Sequence, residues 1–518
     1  MQHTQVIIIG GSLVGLSASL FLSSRGVANI VVDKHHGSSP HPRAMGFTER
    51  TLEYFRAVGL GDAVPQVAPG TRLRRARVES LAGTWHDETP WTPGQPDERR
   101  GEVSPCTGAA IPQDKLEPIL RDTARERGAL FRLGCEMLSF VQDQDGVTVV
   151  VRDRDTGQEE TLRGAYLIAA DGADSGIREA LGIRRQGVGY LRTLRSVLFR
   201  CAEADRYLER GIQQFEINQD GFHAFLTTYG DGRWVLMFDD DRERDTAELE
   251  ASVRRALGSD DADFSIITTG RWVMAGLIAE RYSEGRIFLA GDAAHQLPPT
   301  RGGFGANTGI DDAYNLAWKL DRVLRGASSP RLLETYSAER QPIGWLRHQQ
   351  TFARPDYARW TDHALKDETI LGDEAMELGQ LLRSEAIIGA GPELPPAAHP
   401  DAWQGQPGTR APHIWITQGE RTLSTLDLFG KGWVLLFEDE RWSAACAVMP
   451  EADIITVRIG EDIVFPGHVT LASCFGIDAT GATLIRPDGI VAWRSPGMPS
   501  DPAAALTLAL HDVAMPMN

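Results

Sequence analysis

The chain has 518 residues, enough for two to four domains with substantial cores. Its 53 basic and 71 acidic residues give a formal charge of −18, which argues against nucleic acid and anionic membrane as partners. No apolar run reaches the roughly 18 residues of a membrane span. MQHTQVIIIGG runs straight into a strand without a signal segment, so a cytoplasmic protein is expected. Cys106, Cys135, Cys201, Cys446 and Cys474 are scattered without a CxxC or metal-ligand spacing; they read as reduced thiols and imply no metal.

The first element is a β-branched run, Val6 to Ile9, leading into Gly10-Gly11-Ser12-Leu13-Val14-Gly15 and a helical stretch from Leu16 to Ser24. A second apolar run, Ile30 to Val32, ends in Asp33, with Lys34 behind it. This is the strand–helix–strand pattern of a dinucleotide site. Glycines allow the tight turn, the helix end faces a pyrophosphate, and an acid about 20 residues on accepts ribose hydroxyls. Ser12 stands where the second glycine usually sits, a change its small side chain tolerates. The pattern alone does not choose between NAD and FAD. In Pro40-His41-Pro42-Arg43-Ala44-Met45-Gly46, a proline-stiffened loop carries an arginine suited to a bidentate bond with phosphate. A helix follows from about residue 49 to 58. Residues 60–110 read as loops with a short β excursion, and Gln113 lies at the start of a helix whose core face is Leu116, Ile119 and Leu120.

Strands are expected at 147–151 and 164–170, the second running into Asp171-Gly172-Ala173-Asp174-Ser175-Gly176-Ile177-Arg178. Asp171 and Arg178 suit either a cofactor role or a helix-start cap with an ion pair. Residues 181–273 then interrupt the cofactor motifs with strands at 222–226, 234–238 and near 271–274. Their aromatic residues Phe222, His223, Phe225, Tyr229, Trp234 and Trp272 are candidates to line an apolar pocket, with core packing as the competing reading for each.

The most informative stretch is RIFLAGDAAHQLPPTRGGFGANTGIDDAYNLAWKL, residues 286–320. A short buried strand is cut off by Gly291-Asp292, which places a carboxylate at a strand's carboxyl end, where open α/β sheets bind ligands. Pro298 and Pro299 stiffen the following loop; Gly302, Gly303 and Gly305 let backbone approach a flat ligand. After Ala306 and Asn307 a helix begins, with Ile310, Ala313, Leu316, Ala317 and Leu320 on one face. The same place thus receives a carboxylate for hydroxyls and a helix N-terminus for an anionic ring edge, which is what a flavin needs. Beyond it, residues 333–342 read as a helix, 391–400 as a linker, and paired strands around Arg486-Pro487-Asp488-Gly489 as a hairpin in a separately folded tail.

GDAAH, PP, GGxGxN and DDAxNLAWKL in this order resemble the second FAD motif of the single-component flavoprotein aromatic hydroxylases, the para-hydroxybenzoate and phenol hydroxylase group. PRAxG at 42–46 and the DG motif at 171–178 resemble the same family. PHPRAMGFTERTLE, PQDKLEPIL and IRPDGIVAWRS carry a narrower likeness to the hydroxylases of aromatic polyketides in bacterial antibiotic pathways, of the aklavinone-hydroxylase type. The resemblance covers almost the whole chain. It implies an α/β fold in which a Rossmann-like FAD-binding domain (1–180 and, with further helices, 274–390) is interrupted by a β-sheet substrate domain (181–273). A thioredoxin-like C-terminal domain without CxxC (401–518) follows, with a structural or subunit-contact role such as a homodimer contact.

The implied function is monooxygenation of a phenolic or aromatic-polyketide substrate with FAD, NADPH or NADH, and O2, through a flavin C4a-hydroperoxide. Carried onto this sequence, Arg43 and Ala44 lie beside the flavin and its phosphates, and Gln113 bonds the ribityl chain. Asp171 and Arg178 support the cofactor and the route of the nicotinamide. Gly10, Gly11, Ser12, Val14, Gly15, Asp33, Lys34, Gly291, Asp292, Pro299, Gly303, Gly305, Ala306 and Asn307 complete the FAD site. His223 and Tyr229 are the candidates for assisting phenol deprotonation, and Phe222, Phe225, Trp234 and Trp272 for the substrate pocket. Two alternatives stay open: a Baeyer–Villiger oxygenase on the same scaffold, and a non-catalytic FAD-binding assembly protein. A halogenase is disfavoured by the absence of a WxWxIP sequence.

Overall fold

Val6 to Ile9 are buried throughout, as a strand covered on both faces must be. The computed structural model describes the chain except residues 42, 70, 72–73, 91–101, 300–303, 363–364, 366–367, 449–452 and 518. Strand Gln2–Ile9 runs parallel to Asn29–Asp33 on one side and to Glu159–Ala169 on the other. The sheet extends to Leu130–Leu133 beyond Asn29–Asp33 and to Ile287–Leu289 beyond Glu159–Ala169, all parallel. Strands from the beginning, middle and later part of the sequence are therefore hydrogen-bonded neighbours, and their carboxyl ends lie along one edge.

Among the described residues before 353, seven α-helices frame the first two sheets. They are α1 (Leu13–Ser23), α2 (Glu49–Ala57), α3 (Gln113–Glu126), α4 (Gly176–Ala180), α5 (Thr246–Leu257), α6 (Phe304–Leu324) and α7 (Arg331–Phe352). Helix α1 is apolar and buried on almost every side because it packs between the sheet, α3 and α6. Helix α7 continues past Pro342, the end expected from sequence, as far as Phe352.

The second sheet is mostly antiparallel. Its order is His295–Gln296, Ser265–Ala279, Arg185–Arg200, Arg233–Phe238, Phe222–Thr228, Gln214–Gln219, Arg74–Val78 and Trp85–Pro90. It is not made from residues 181–273 alone, since the excursion at 74–90 and the pair 295–296 join it. Alternation puts Val197, Phe199, Leu226, Trp234, Leu236 and Phe238 on the face covered by α5, where they form its core. The opposite face carries Ser196, Phe225, Thr227, Val235 and Met237, paired across the same strands.

The C-terminal unit has a four-stranded sheet, ordered Ile454–Arg458, Trp433–Phe437, Ala482–Ile485, Val491–Ser495. The first pair is parallel and the others antiparallel, with helices Arg441–Ala447, Leu471–Phe475 and Pro502–Ala514 between and after the strands. This order and these directions do not conflict with the thioredoxin-like unit that the sequence resemblance implies. The hairpin turns at Gly489, whose φ of +79° suits glycine. Residues 391–400 are not a free linker. Ala397 is buried in an apolar cluster with Met376 and Ile387, and the Ala398 N–H bonds Gly379 O at 3.0 Å. Proline and glycine set the course of this segment, but apolar contacts fix it in place.

A buried ionic cluster joins the tail to the rest. Glu339 of α7 accepts from Arg486 at 2.7 and 2.9 Å, from Lys319 at 2.9 Å, and from Asn315 and Ser384 at 2.7 Å each. Asp488 closes it, accepting from Arg486 and from the Trp318 indole at 3.0 Å. Burial pushes the Lys319 amine down to about 8. Burial opposes ionisation of Glu339 as well, yet Arg486 and Lys319 hold its carboxyl well below the usual range. Replacing Arg486 by Met leaves two carboxylates facing one lysine. The expected loss is about 3–5 kcal/mol, read as a lower denaturant midpoint; an unchanged midpoint would show that the cluster does not hold the tail.

A second consequence concerns acid. His348 is buried and its Nε2 accepts the Val188 N–H at 3.1 Å, so the neutral ring is required. Burial pushes His348 down to about 4, and His413 to the same value. The unfolded chain binds these protons below its ordinary value of 6.5, while the folded chain does not until about 4. Stability is therefore fully present above that window and falls as pH drops through it. His348→Gln should make the melting temperature less sensitive to pH between 7 and 5 than in the parent; an equal slope would reject the assignment.

Candidate functional site

The turn after the first strand is built from glycines because nothing larger fits. A Cβ on Gly10, at φ +107°, would lie 2.1 Å from Ala170 O, and one on Gly15 would lie 1.8 Å from Gly10 O. Gly291 and Gly309 close on Val14 in the same way, at 2.8 and 2.5 Å from its Cγ2, so Val14 is a packing residue at a three-way junction. The Gly11 N–H donates to Asp33 Oδ2 at 2.5 Å, and the His35 N–H to Oδ1 at 2.7 Å. Asp33 is thus fixed at its strand end, and Lys34 beside it is exposed. Ser12 starts α1, but its hydroxyl does not cap the helix. The first-turn N–H groups are left without a side-chain cap, an arrangement ready for phosphate.

Gln113 brings the Arg43 loop to this turn. Its Oε1 accepts from the N–H groups of Arg43 and Ala44 at 3.3 and 3.2 Å, and its Nε2 donates to Ser12 Oγ at 2.8 Å. Asn307, in the first turn of α6, holds the next segment. Its Oδ1 accepts from Thr48 N and Thr51 Oγ1 at 3.0 and 2.7 Å, and its Nδ2 donates to Gly46 O at 3.2 Å. The Asn307 amide is therefore engaged with protein on both atoms and acts by placing the loop.

The GD loop bridges the two sheets, since Ile287–Leu289 lies in the first and His295–Gln296 in the second. Asp292 between them is open to solvent, yet the surrounding protein raises its carboxyl, with His295, Arg43 and Arg185 pulling it back down. Asp292 is thus accessible while crowded by protein, the combination that a ligand-facing carboxylate needs. The positive charges of Arg43 and Arg185 act there, and α6 starts beyond the same loop with no acidic residue in its first turn. Gly305 faces open space and Ala306 is partly exposed. Pro299 is exposed, its carbonyl accepting from Tyr357 at 2.6 Å. Gly302 and Gly303 lie outside the described residues.

Asp171 and Arg178 are structural in their contacts. Asp171 Oδ2 accepts from Ile177 N at 3.3 Å, Ser175 caps α4, and burial raises the Asp171 carboxyl. Arg178 is buried and donates to the carbonyls of Ala173 and Ala293 at 3.0 and 3.2 Å, joining the DG loop to the GD loop. Four positions, two of them inside the GDAAH and DDAxNLAWKL strings, hold this region through contacts that the sequence does not display. Asp312 accepts from His295 Nε2 at 2.6 Å, Arg340 Nε at 2.8 Å and Gly291 N at 3.2 Å, while Arg185 donates to Ala173 O and Gln296 Oε1, both at 3.1 Å. The acidic pair in DDAxNLAWKL is the available signal, since two carboxylates on a buried helix require cationic partners.

The substrate candidates divide by strand face. Trp234 is fully buried in the α5-side core with its indole N–H on Asp205 at 2.9 Å, and Phe222 packs on that same side. Neither can line a pocket on the cofactor side; one step of alternation separates them from Phe225. Phe225 and the segment near His41 share the opposite face, where His41 Nε2 and Ser196 Oγ are 2.9 Å apart. Trp272 packs with Met274, Phe352 and Tyr357, and Tyr357 contacts Pro299 of the GD loop. His223 and Tyr229 are six residues apart, so an extended chain sets them roughly 20 Å apart. His223 is exposed, whereas Tyr229 lies 5.1 Å from the Arg233 guanidinium, which is bound to Asp114 of α3 at 2.8 Å. They do not share one reacting atom.

Together these features define a dinucleotide-binding α/β protein whose GD loop runs from the first sheet into a second. Comparison with known proteins gives its family. The FAD binding domain family matches residues 3–351 and the aromatic-ring hydroxylase C-terminal family matches 404–514. The chain is 37% identical to a tetracenomycin A2 monooxygenase-dioxygenase of Streptomyces glaucescens, over 99% of this chain and 97% of that one. It is 35% identical to an aklavinone 12-hydroxylase of Streptomyces purpurascens, over 99% of each. The structure of aklavinone-11 hydroxylase with FAD and aklavinone matches with a TM-score of 0.87 at 32% identity, over 99% of each chain.

The chain belongs to the FAD-dependent aromatic-ring hydroxylases, a family of flavoprotein monooxygenases. The site fits that cofactor: a glycine turn too tight for side chains, an uncapped helix start, a strand-end carboxylate, and Asp292 accessible in the GD loop. Asp292→Ala should raise the FAD dissociation constant about tenfold or more, because a surrounded acceptor is lost. Fluorescence titration of the apoprotein measures it, and parent-like affinity would place the flavin elsewhere.

Proposed function

We propose that this enzyme hydroxylates a small aromatic substrate of the phenolic polyketide class, with NADPH or NADH as transient reductant and O2 as oxidant, in the cytoplasm. The observation that carries the reading is the GD loop. It joins Ile287–Leu289 of the first sheet to His295–Gln296 of the second, and Phe225 and Met237, on the face of the second sheet away from its α5-side core, supply apolar side chains for a pocket there. The relatives named for tetracenomycin and aklavinone chemistry agree with a fused-ring phenol as the occupant.

When bound, FAD supplies the redox chemistry, taking up reducing equivalents and transferring one oxygen atom of O2 to an electron-rich ring carbon. The protein's residues orient and stabilise. Asp33 and Asp292 offer acceptors to hydroxyls, and the N-terminus of α6 with Arg43 and Arg185 favours negative charge on the cofactor's ring edge. Burial pushes the Tyr229 phenol well up, so at neutral pH it is a hydrogen-bond donor. It suits holding a substrate phenolate and does not suit removing the proton. The apolar side chains Phe225 and Met237 would keep water from a substrate seated on that face.

The FAD-loaded protein should oxidise NADPH faster with a fused-ring phenol than without, and NMR of the product should show a new ring hydroxyl. A ring-expanded lactone would point to Baeyer–Villiger chemistry. Bound FAD with no stimulation across anthracyclinone- and tetracenomycin-type phenols would reject the substrate class.

A further inference from the structure

Glu117 is buried at 2% exposure in the first turns of α3, and no part of the cofactor reading uses it. Its Oε1 accepts from Ser12 Oγ at 2.7 Å and from Gln113 Nε2 at 2.7 Å, while Gln113 Nε2 also donates to Ser12 Oγ. The three polar atoms form a closed triangle that ties the cofactor turn to α3. A carboxylate can only accept, so Glu117 compels Gln113 to turn its amide nitrogen inward. The amide oxygen is then left facing outward, where it receives the N–H groups of Arg43 and Ala44.

We propose that Glu117 is a positioning residue of the FAD site: it fixes the amide orientation of Gln113, and through it the placement of the 43–44 backbone against the cofactor turn. The serine in the fingerprint then has a reason. A glycine at position 12 would supply no hydroxyl to complete the triangle. An unconstrained amide at 113 would be free to flip, presenting its NH2 group to two backbone donors, and the loop would lose both bonds. The inference rests on FAD binding alone and holds whatever the substrate is.

An exchange of the two side chains tests it. Gln113→Glu alone sets two carboxylates against each other and should raise the FAD dissociation constant about tenfold or more. Adding Glu117→Gln restores the balance of donors and acceptors, since the carboxylate now on the loop side accepts from both the loop N–H groups and the new amide. The double variant should return to within about threefold of the parent. A residue that merely fills space would give additive losses, and a double variant as weak as Gln113→Glu overturns the proposal. Should Gln113→Glu fail to fold, Glu117→Leu keeps the shape without the acceptor. Loss of about tenfold in FAD affinity supports the assignment, and parent-like affinity in apoprotein titration overturns it.

Discussion

The carboxylate of Asp312 is the joint on which the cofactor site depends. It is wholly buried, and in one place it meets the GD-loop backbone at Gly291, the GDAAH histidine and Arg340 of α7. Burial alone would push this group towards protonation; His295 and Arg340 reverse that and hold it ionised below its ordinary value. A charge so placed is costly unless every partner is present. The GD loop, α6 and α7 are therefore mutually dependent, and the position of Asp292 follows from theirs. Arg340 extends the joint to Asp311, which Tyr54 of α2 also contacts. The helix after the flavin loop thus reaches the helix after the Arg43 loop.

Helix α6 carries most of these connections. Asn307 holds the 46–51 segment, Asp311 and Asp312 hold α2, α7 and the GD loop, and Asn315, Trp318 and Lys319 join the buried cluster that anchors the tail's hairpin. Its apolar face packs on α1 and the first sheet. One helix thereby shares a rigid frame among cofactor loops and a C-terminal unit without a CxxC pair. Among the described residues all five cysteines are free, and no group of His, Cys, Asp and Glu is placed to hold a metal. No helix there is long and apolar enough to cross a membrane.

The two sheets divide the work. The parallel sheet supplies strand ends where backbone N–H groups and carboxylates can face a dinucleotide. The antiparallel sheet supplies a broad wall with one face given to its own core and the other turned away from it. They are joined where the GD loop leaves one and enters the other, and again where Arg233 of the second sheet meets Asp114 beside Gln113. The two sheets are thus linked through loops and helix ends that carry the cofactor motifs.

The cofactor and the fold class are legible in the order of residues. Glycine spacing, strand-end acids and the GDAAH-to-WKL string are local chemistry: a tight turn or helix start depends on residues a few positions apart, which the chain displays directly. That strands interrupt the cofactor motifs and that strands recur in the tail is legible for the same reason; that 74–90 and 295–296 join the second sheet is not. The face that each strand presents is not, because one step of register moves Trp234 into a core and leaves Phe225 on the opposite face. Nor are the partners of buried charges, which folding supplies by pairing Asp312 with Arg340, Glu339 with Arg486, and Glu117 with Ser12 across 105 residues of chain. Such pairs arise from two segments meeting in a medium that stabilises charge poorly. The residue types announce the need for a partner, and only the packing selects it.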